Sequence, residues 1–257
     1  MTPLIRLLLF VLLFAPVQPR AQNHAYDISN GHAHNDYLHK QPFYEAYDFG
    51  FGSIEADVYP VKGTLHVAHH KNEIREGFTL SSYYIEPLAR QLEQKRNRKL
   101  LLLIDIKEDY KQSLELLIKE LIPLKNYLHS LTSRGPVMIA ISGDRPAPAE
   151  FELYPDYIWF DSDLKYEYSK EQWARVALVS LPFNKWSDWK AESDPKPGQL
   201  DKVQALIDSV HRLGKPIRFW AAPDNKLSWQ WQQKMKVDLI GTDKLEDLAL
   251  FLRKEDD

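Results

Sequence analysis

The sequence predicts an α/β chain folded as a single (β/α)8 TIM barrel. Three observations predict it. Strand-like and helix-like segments alternate along the chain once the first twenty or so residues are past. They make eight strand-then-helix units in about 230 residues, close to the usual size of such a barrel. Polar and charged residues recur just beyond the apolar segments, where a barrel places its active site. A doubly wound open sheet would give the same alternation, but no glycine-rich phosphate loop follows the first strand.

Taken in order, Ile28–Asn30 reads as the first strand. Pro42–Phe49 is a helix, with Pro42 suited to its first turn and Gly50 to its end. Gly52–Val58 is the second strand; Lys62 and Gly63 turn the chain, and Thr64–Ala68 returns as a short β-segment. Ser81–Gln94 is helical. Leu100–Ile106 is almost continuously apolar, as a strand covered on both faces must be. Gln112–Leu121 puts Leu114, Leu117, Ile118 and Leu121 on one helical face. Val137–Ile141, Tyr157–Phe160, Val176–Leu181, Ile217–Ala221 and Asp238–Ile240 complete the strands. Ala149–Leu153, Ser169–Arg175, Gly198–Leu213, Leu227–Met235 and Lys244–Leu252 complete the helical connections. No linker or internal repeat interrupts them, so residues 22–257 read as one domain.

The amino terminus is different. Arg6 precedes an apolar stretch from Leu7 to Val17, and Pro19, Arg20 and Ala21 follow. This is the pattern of a secretory signal peptide over residues 1–21, and it predicts an exported protein, periplasmic or extracellular. No apolar run reaches the length of a stable membrane span. The chain has no cysteine, which excludes disulfides and a thiol nucleophile. Its 257 residues are 44% hydrophobic, enough for one sizeable core. The formal net charge of −3 argues against nucleic acid as a partner. The one basic run, Lys95 to Lys99, ends a predicted helix, where cations suit the dipole. No obligate protein partner is evident.

The chemistry concentrates near the front. Glu55 and Asp57 are two apart on a strand, so they share a face. Neighbouring carboxylates repel unless a cation sits between them. His32 and His34 come just before that strand, and His66, His69 and His70 just after it. Such histidines can supply a general base and acid. Asp105 and Lys107 repeat the two-apart spacing at the end of the next strand. Asp144, Asp161, Asn184, Trp220 and Asp243 close later strands. Together these parts suffice for metal-assisted attack on a phosphodiester.

Gly31-His32-x-x-Asn35, then Ile54-Glu55-x-Asp57-Val58, then Leu65-x-Val67-x-His69, then Asp105-x-Lys107 resembles the phosphatidylinositol phospholipase C-like phosphodiesterases. That superfamily includes the glycerophosphodiester phosphodiesterases. His32 to Tyr37, the Glu55 segment and Arg218 to Asn225 are most similar to its altered-inheritance-of-mitochondria protein six-like branch. The resemblance implies a PLC-like barrel and a phosphoric diester hydrolase acting on a small-molecule or lipid phosphodiester. It implies His32 and His69 as the catalytic pair, with His34 a rival base that register places second to His32. It implies Glu55, Asp57 and Asp105 as ligands of Mg²⁺ or Ca²⁺, and Lys107 as a neutraliser of phosphoryl charge. Asn35, Asp161, Trp220 and Asp243 are expected to contact substrate. The chain departs from the glycerophosphodiesterase pattern by lacking its His-Arg-Gly and Glu-Asn-Thr segments.

His24, His39, His66, His129 and His211 read as structural or solvated, and Trp186 and Trp189 as packing. Two other functions fit parts of the pattern. His32-Ala33-His34 is a metal pair of amidohydrolase type, but later strand ends supply no further histidine. A secreted, non-catalytic phosphoester- or metal-binding barrel needs the same carboxylates.

Overall fold

The computed structural model describes residues 26–95 and 98–253. The leader with its cleavage point after Ala21, His24, and Arg96 and Asn97 of the basic run lie outside the described residues. No described helix is long and apolar enough to cross a membrane.

Nine strands form one sheet. They are β1 (Gly31–Ala33), β2 (Ser53–Val61), β3 (Thr64–Val67), β4 (Leu100–Ile106), β5 (Val137–Gly143), β6 (Ile158–Ser162), β7 (Val176–Pro182), β8 (Ile217–Trp220) and β9 (Ile240–Thr242). Eight are parallel neighbours in the order β8-β7-β6-β5-β4-β2-β1-β9, and β3 folds back antiparallel on β2. A bridge between Arg218 and Leu239 brings the two ends of that order together. The N–H groups of Asp238 and Leu239 both donate to Ile217 O, at 3.1 and 3.3 Å. The result is a nearly closed barrel. Helices α1 (Tyr44–Phe49), α2 (Glu86–Glu93), α3 (Tyr110–Glu120), α4 (Lys170–Ala174), α5 (Asp201–Arg212), α6 (Lys226–Lys234) and α7 (Leu245–Arg253) lie between the strands.

The period of two along each strand sorts its side chains. Leu100, Leu102, Ile104 and Ile106 of β4 pack outward in the main core, with Leu114 and Leu117 of α3. Leu103, Ala140, Trp159 and Leu178 make a separate apolar cluster with Leu101 and Met138. One step toward the strand ends the same face turns polar. Asp57, Asp105 and Ser142 are register partners across β2, β4 and β5, and Ser180 and Arg218 across β7 and β8. Apolar residues thus fill the lower interior, and a polar layer caps it.

Several boundaries depart from expectation, those of the first and last strands among them. Ile28–Asn30 is a 3-10 turn, because Asp27 accepts from Ser29 N and Asn30 accepts from Asp27 N in a reciprocal cap. The first strand therefore runs Gly31–Ala33 and contains His32. The last strand is Ile240–Thr242, two residues later than expected. Asp238 is occupied elsewhere, taking Ile217 N and His211 Nε2 at 2.8 Å each. Ala149–Leu153 lies within a 3-10 helix, Pro148–Leu153.

Candidate active site

A cavity of about 530 Å³ opens at the carboxyl ends of the strands, where barrel sites form. Glu55, Asp57 and Asp105 stand in its wall, each with an oxygen within 4.8 Å of the others'. Glu55 is buried. Its Oε2 accepts from Arg218 Nη1 at 2.7 Å and contacts His32 Nε2 at 2.8 Å. Burial would raise the Glu55 pKa, but the Arg218 charge and the His32 contact hold it well below the usual carboxylate range. Asp57 Oδ2 gathers Tyr37 OH at 2.8 Å, Lys107 Nζ at 2.7 Å and His69 Nδ1 at 3.0 Å. Burial and the Glu55 charge raise its pKa, against the pull of Lys107. Lys107 also donates to Asp105 Oδ2 at 2.6 Å. Burial opposes its charge, but Asp105 and Asp57 outweigh burial and raise its pKa.

These three carboxylates can hold a metal. The donors described engage Oε2 of Glu55 and Oδ2 of Asp57 and Asp105, so each carboxylate keeps a second oxygen for a ligand role. An all-oxygen donor set suits a hard divalent cation. Arg218 and Lys107 supply two positive charges against three negative ones, so the cluster still favours a cation.

The histidines divide between core and cavity. His32 is fully buried on β1, with Nδ1 2.7 Å from Ser53 Oγ and Nε2 against both Glu55 and Arg218. Gly241 of β9 is its register partner. Burial and the Arg218 charge lower its pKa to about 4, so it is neutral at pH 7. Glu55 and Arg218 line the cavity and separate His32 from it. The structure thus sets His32 inside the strand behind an ion pair and His34 at the cavity, the reverse of the order that register gave. His34 follows the strand and lines the cavity, its Nδ1 2.7 Å from Asp243 Oδ1. Burial works against the protonated ring, but the Asp243 hydrogen bond and the Glu55 charge raise its pKa. His69 lines the cavity as well, with Nδ1 3.0 Å from Asp57 Oδ2.

The expected substrate contacts divide in the same way. Asp161 and Trp220 line the cavity, and Trp186 joins them. Asp161 is buried, and burial pushes its pKa up to about 7 against the pull of Arg218 and Arg145. Asp243 and Asn35 do not line it. Asp243 holds His34; Asn35 donates to Asp243 Oδ1 at 3.2 Å and accepts from Tyr37 OH at 2.8 Å. Asp144 accepts from Tyr110 N at the start of α3 instead of facing the cavity. Trp189 is buried packing, with Nε1 donating to Ser193 O at 2.8 Å.

Sequence reasoning missed Arg218, Tyr37, Ser180 and Arg145. Arg218 carried a usable signal: a cation inside the apolar strand Ile217–Trp220 must be paired with an anion. Its Nε donates to Ser180 Oγ at 2.9 Å. Arg145 pairs with Asp163 at 3.2 Å in the cavity wall, and nothing local in the sequence marked it.

Comparison with known proteins agrees with this barrel. Residues 24–100 match the AIM6-like phosphodiesterase domain, the segment that carries His34, Glu55, Asp57 and His69. The altered inheritance of mitochondria protein 6 homolog of Arthroderma benhamiae is 28% identical over 85% of this chain and 79% of its own length. That of Eremothecium gossypii is 27% identical over 86% of this chain and 68% of its own. A glycerophosphodiester phosphodiesterase from Parabacteroides distasonis has a similar fold, with a TM-score of 0.55 and 15% identity over 84% of this chain and 90% of that one. The resemblance read from the sequence therefore holds: this chain is similar to the AIM6-like phosphodiesterases, and its barrel has the fold of a glycerophosphodiester phosphodiesterase.

Proposed function

We propose that this protein is a divalent-cation-dependent phosphoric diester hydrolase, exported from the cell, that acts on a small-molecule or lipid phosphodiester. One observation carries the reading. Three carboxylates with free oxygens and two cavity-facing histidines, each anchored through Nδ1 by an aspartate, meet in one cavity. A non-catalytic binding barrel needs the carboxylates but has no use for two cavity-lining histidines each held through Nδ1 by an aspartate. The amidohydrolase reading loses its metal pair, because His32 and His34 point to different environments.

Mg²⁺ or Ca²⁺ bound by Glu55, Asp57 and Asp105 would neutralise charge on a non-bridging phosphate oxygen. The chain's residues do the rest. Asp57 holds the Nδ1 proton of His69, so Nε2 carries the lone pair that takes a proton from the attacking hydroxyl. Asp243 favours the protonated ring of His34, so His34 gives its proton to the leaving oxygen. Arg218 keeps Glu55 ionised, and Lys107 keeps Asp57 and Asp105 in place. His32 is a positioning residue that braces Glu55.

The test is turnover of a phosphodiester panel by the purified protein with Mg²⁺ or Ca²⁺, against EDTA and His69→Ala controls. Cleavage lost in both controls supports the reading. A folded, cation-loaded protein that cleaves no diester overturns it. Export is supported by the leader over residues 1–21, and amino-terminal sequencing of the protein from the periplasmic or culture fraction tests it.

A further inference from the structure

Residues 218–225, which carry part of the resemblance, do more than bring Arg218 to Glu55. Beyond β8 the chain turns at Ala221, whose φ of +53° lies in the left-handed region. Asp224 follows that turn, half-buried just before α6. Its carboxylate takes N–H donors from two different elements. Oδ1 accepts from the buried Trp229 of α6, through the indole Nε1 at 3.0 Å. Oδ2 accepts from the backbone N of Asp243, also at 3.0 Å. The Asp224 carbonyl oxygen accepts from Lys244 Nζ at 2.7 Å. Three bonds thus tie Asp224 to α6 and to the turn between β9 and α7.

That turn carries the partner of His34. Asp243 stands one residue past β9, beyond the last register partner, Thr242. Its side chain is 56% exposed, yet its Oδ1 sits 2.7 Å from His34 Nδ1. A pair this exposed gains little unless its geometry is fixed. Asn35 Nδ2 holds the carboxylate at 3.2 Å, and Asp224 holds the backbone from which it projects. Asp224 on Asp243, and Asp243 on His34, form one chain of contacts that ends at the cavity. A purely structural Asp224 would instead pin α6 through Trp229, which packs on Phe251 of α7 at 5.7 Å between ring centroids. The two roles use different oxygens, so they can be separated.

Resting on the phosphodiesterase reading, we infer that Asp224 is a positioning residue of the reaction: it fixes the backbone of Asp243, and through Asp243 the direction in which His34 presents its proton. Asp224 lies outside the cavity and acts only through Asp243. The other groups that act on His34 are Asn35 Nδ2 at 3.0 Å, the charges of Glu55 and Arg218, and the neighbouring His32. All of them remain in every variant below.

Four proteins test this as full chains with Mg²⁺: wild type, Asp224→Ala, Trp229→Phe, and Asp224→Asn combined with Trp229→Phe. Asp224→Ala releases Asp243 N. It is expected to lower kcat by about ten- to a hundredfold with KM little changed, as displacement of one positioned group does. Its alkaline limb should move to lower pH, because the Asp243 contact favours the protonated His34 ring. Trp229→Phe removes only the indole donor, so rate and limb should stay. The paired variant keeps an amide oxygen for Asp243 N and has no indole facing its NH₂ group, so it should recover both. A merely structural Asp224 makes Trp229→Phe as harmful as Asp224→Ala and gives no recovery in the pair. Either result, or an unchanged limb in Asp224→Ala, overturns the inference. Should Asp224→Ala not fold, Asp224→Ser, one bond too short to reach Asp243, takes its place. An NMR titration of the His34 ring separates the inference from the reading it rests on. If no diester is cleaved, the phosphodiesterase reading fails, yet a His34 pKa about one pH unit lower in Asp224→Ala and restored in the pair still supports the positioning. Equal His34 values in all four proteins overturn it.

Discussion

At the scale of single residues, three histidines on one short stretch of barrel wall have different environments and so different work. His34 and His69 each have an aspartate on Nδ1 and line the cavity. Replacing either by Gln should lower kcat by about 10²- to 10⁴-fold, the usual contribution of one positioned acid or base. The pH profile should tell them apart. The His34 pKa is raised, so its acid role fails as pH rises through that raised value. His34→Gln should therefore remove the alkaline limb from the residual rate and leave the acid limb. His32 behaves in the opposite sense. It is buried neutral, with its pKa lowered from 6.5 to about 4. Between those values the unfolded chain binds more protons, so stability rises with pH and is lost on acidification through the window. The contribution is on the order of 3 kcal/mol. Asp161 and Asp36, whose pKa values burial raises to about 7 and about 6, act in the opposite sense over this window, so the His32 part is read as a difference: the denaturant midpoint of wild type relative to His32→Gln should rise between pH 4 and 7.

At the scale of elements, the site depends on where strands end. Gly143 closes β5 with φ +71°, a left-handed conformation that disfavours other residues. A Cβ there would lie 2.1 Å from Asp105 Oδ1 and 2.3 Å from Ile106 O. Gly143→Ala should destabilise the fold by about 1–3 kcal/mol. It should also displace Asp105, so that a calorimetric cation titration weakens beyond what the stability loss alone explains. The turn after β1 is held by Asp36, whose Oδ2 accepts from Phe43 N at 2.6 Å and Tyr84 OH at 3.0 Å. That turn carries Tyr37 to Asp57 and Asn35 to Asp243. Tyr84→Phe removes a buried donor without removing bulk. It should cost about 1–3 kcal/mol in a denaturant titration.

At the scale of the whole molecule, barrel closure makes the site. Glu55 on β2 and Arg218 on β8 belong to strands separated by 163 residues of chain, and their contact exists only because the barrel curves round to bring β8 back to β9 and β1. The three carboxylates repel one another when no cation is bound, so a cation that binds only the folded barrel should stabilise the whole fold. At a hundredfold excess over its Kd the gain is about 2.7 kcal/mol. For a chain of this size that raises Tm by about 5–10 °C. Differential scanning calorimetry with Mg²⁺ or Ca²⁺ should show the rise, and EDTA should reverse it. Asp57→Asn should abolish it.

The sequence by itself determined the barrel and one half of its site. The alternation of elements, the period of two in Ser53–Val61 and Leu100–Ile106, and the Glu55, Asp57, Asp105 and Lys107 spacing are local patterns, and local patterns survive in a string of letters. Only the tertiary structure decided the rest. His32 and His34 are two apart and look equivalent in sequence, yet a reciprocal cap at Asp27 moves the strand by three residues. One ring falls inside the wall and the other at the cavity. Arg218, Asp243 and Tyr37 reach their partners across long separations, and no local period encodes such contacts. The bond from Asp243 N to Asp224 is invisible to sequence for the same reason: its two ends follow β9 and β8, strands that only the closing of the barrel sets side by side.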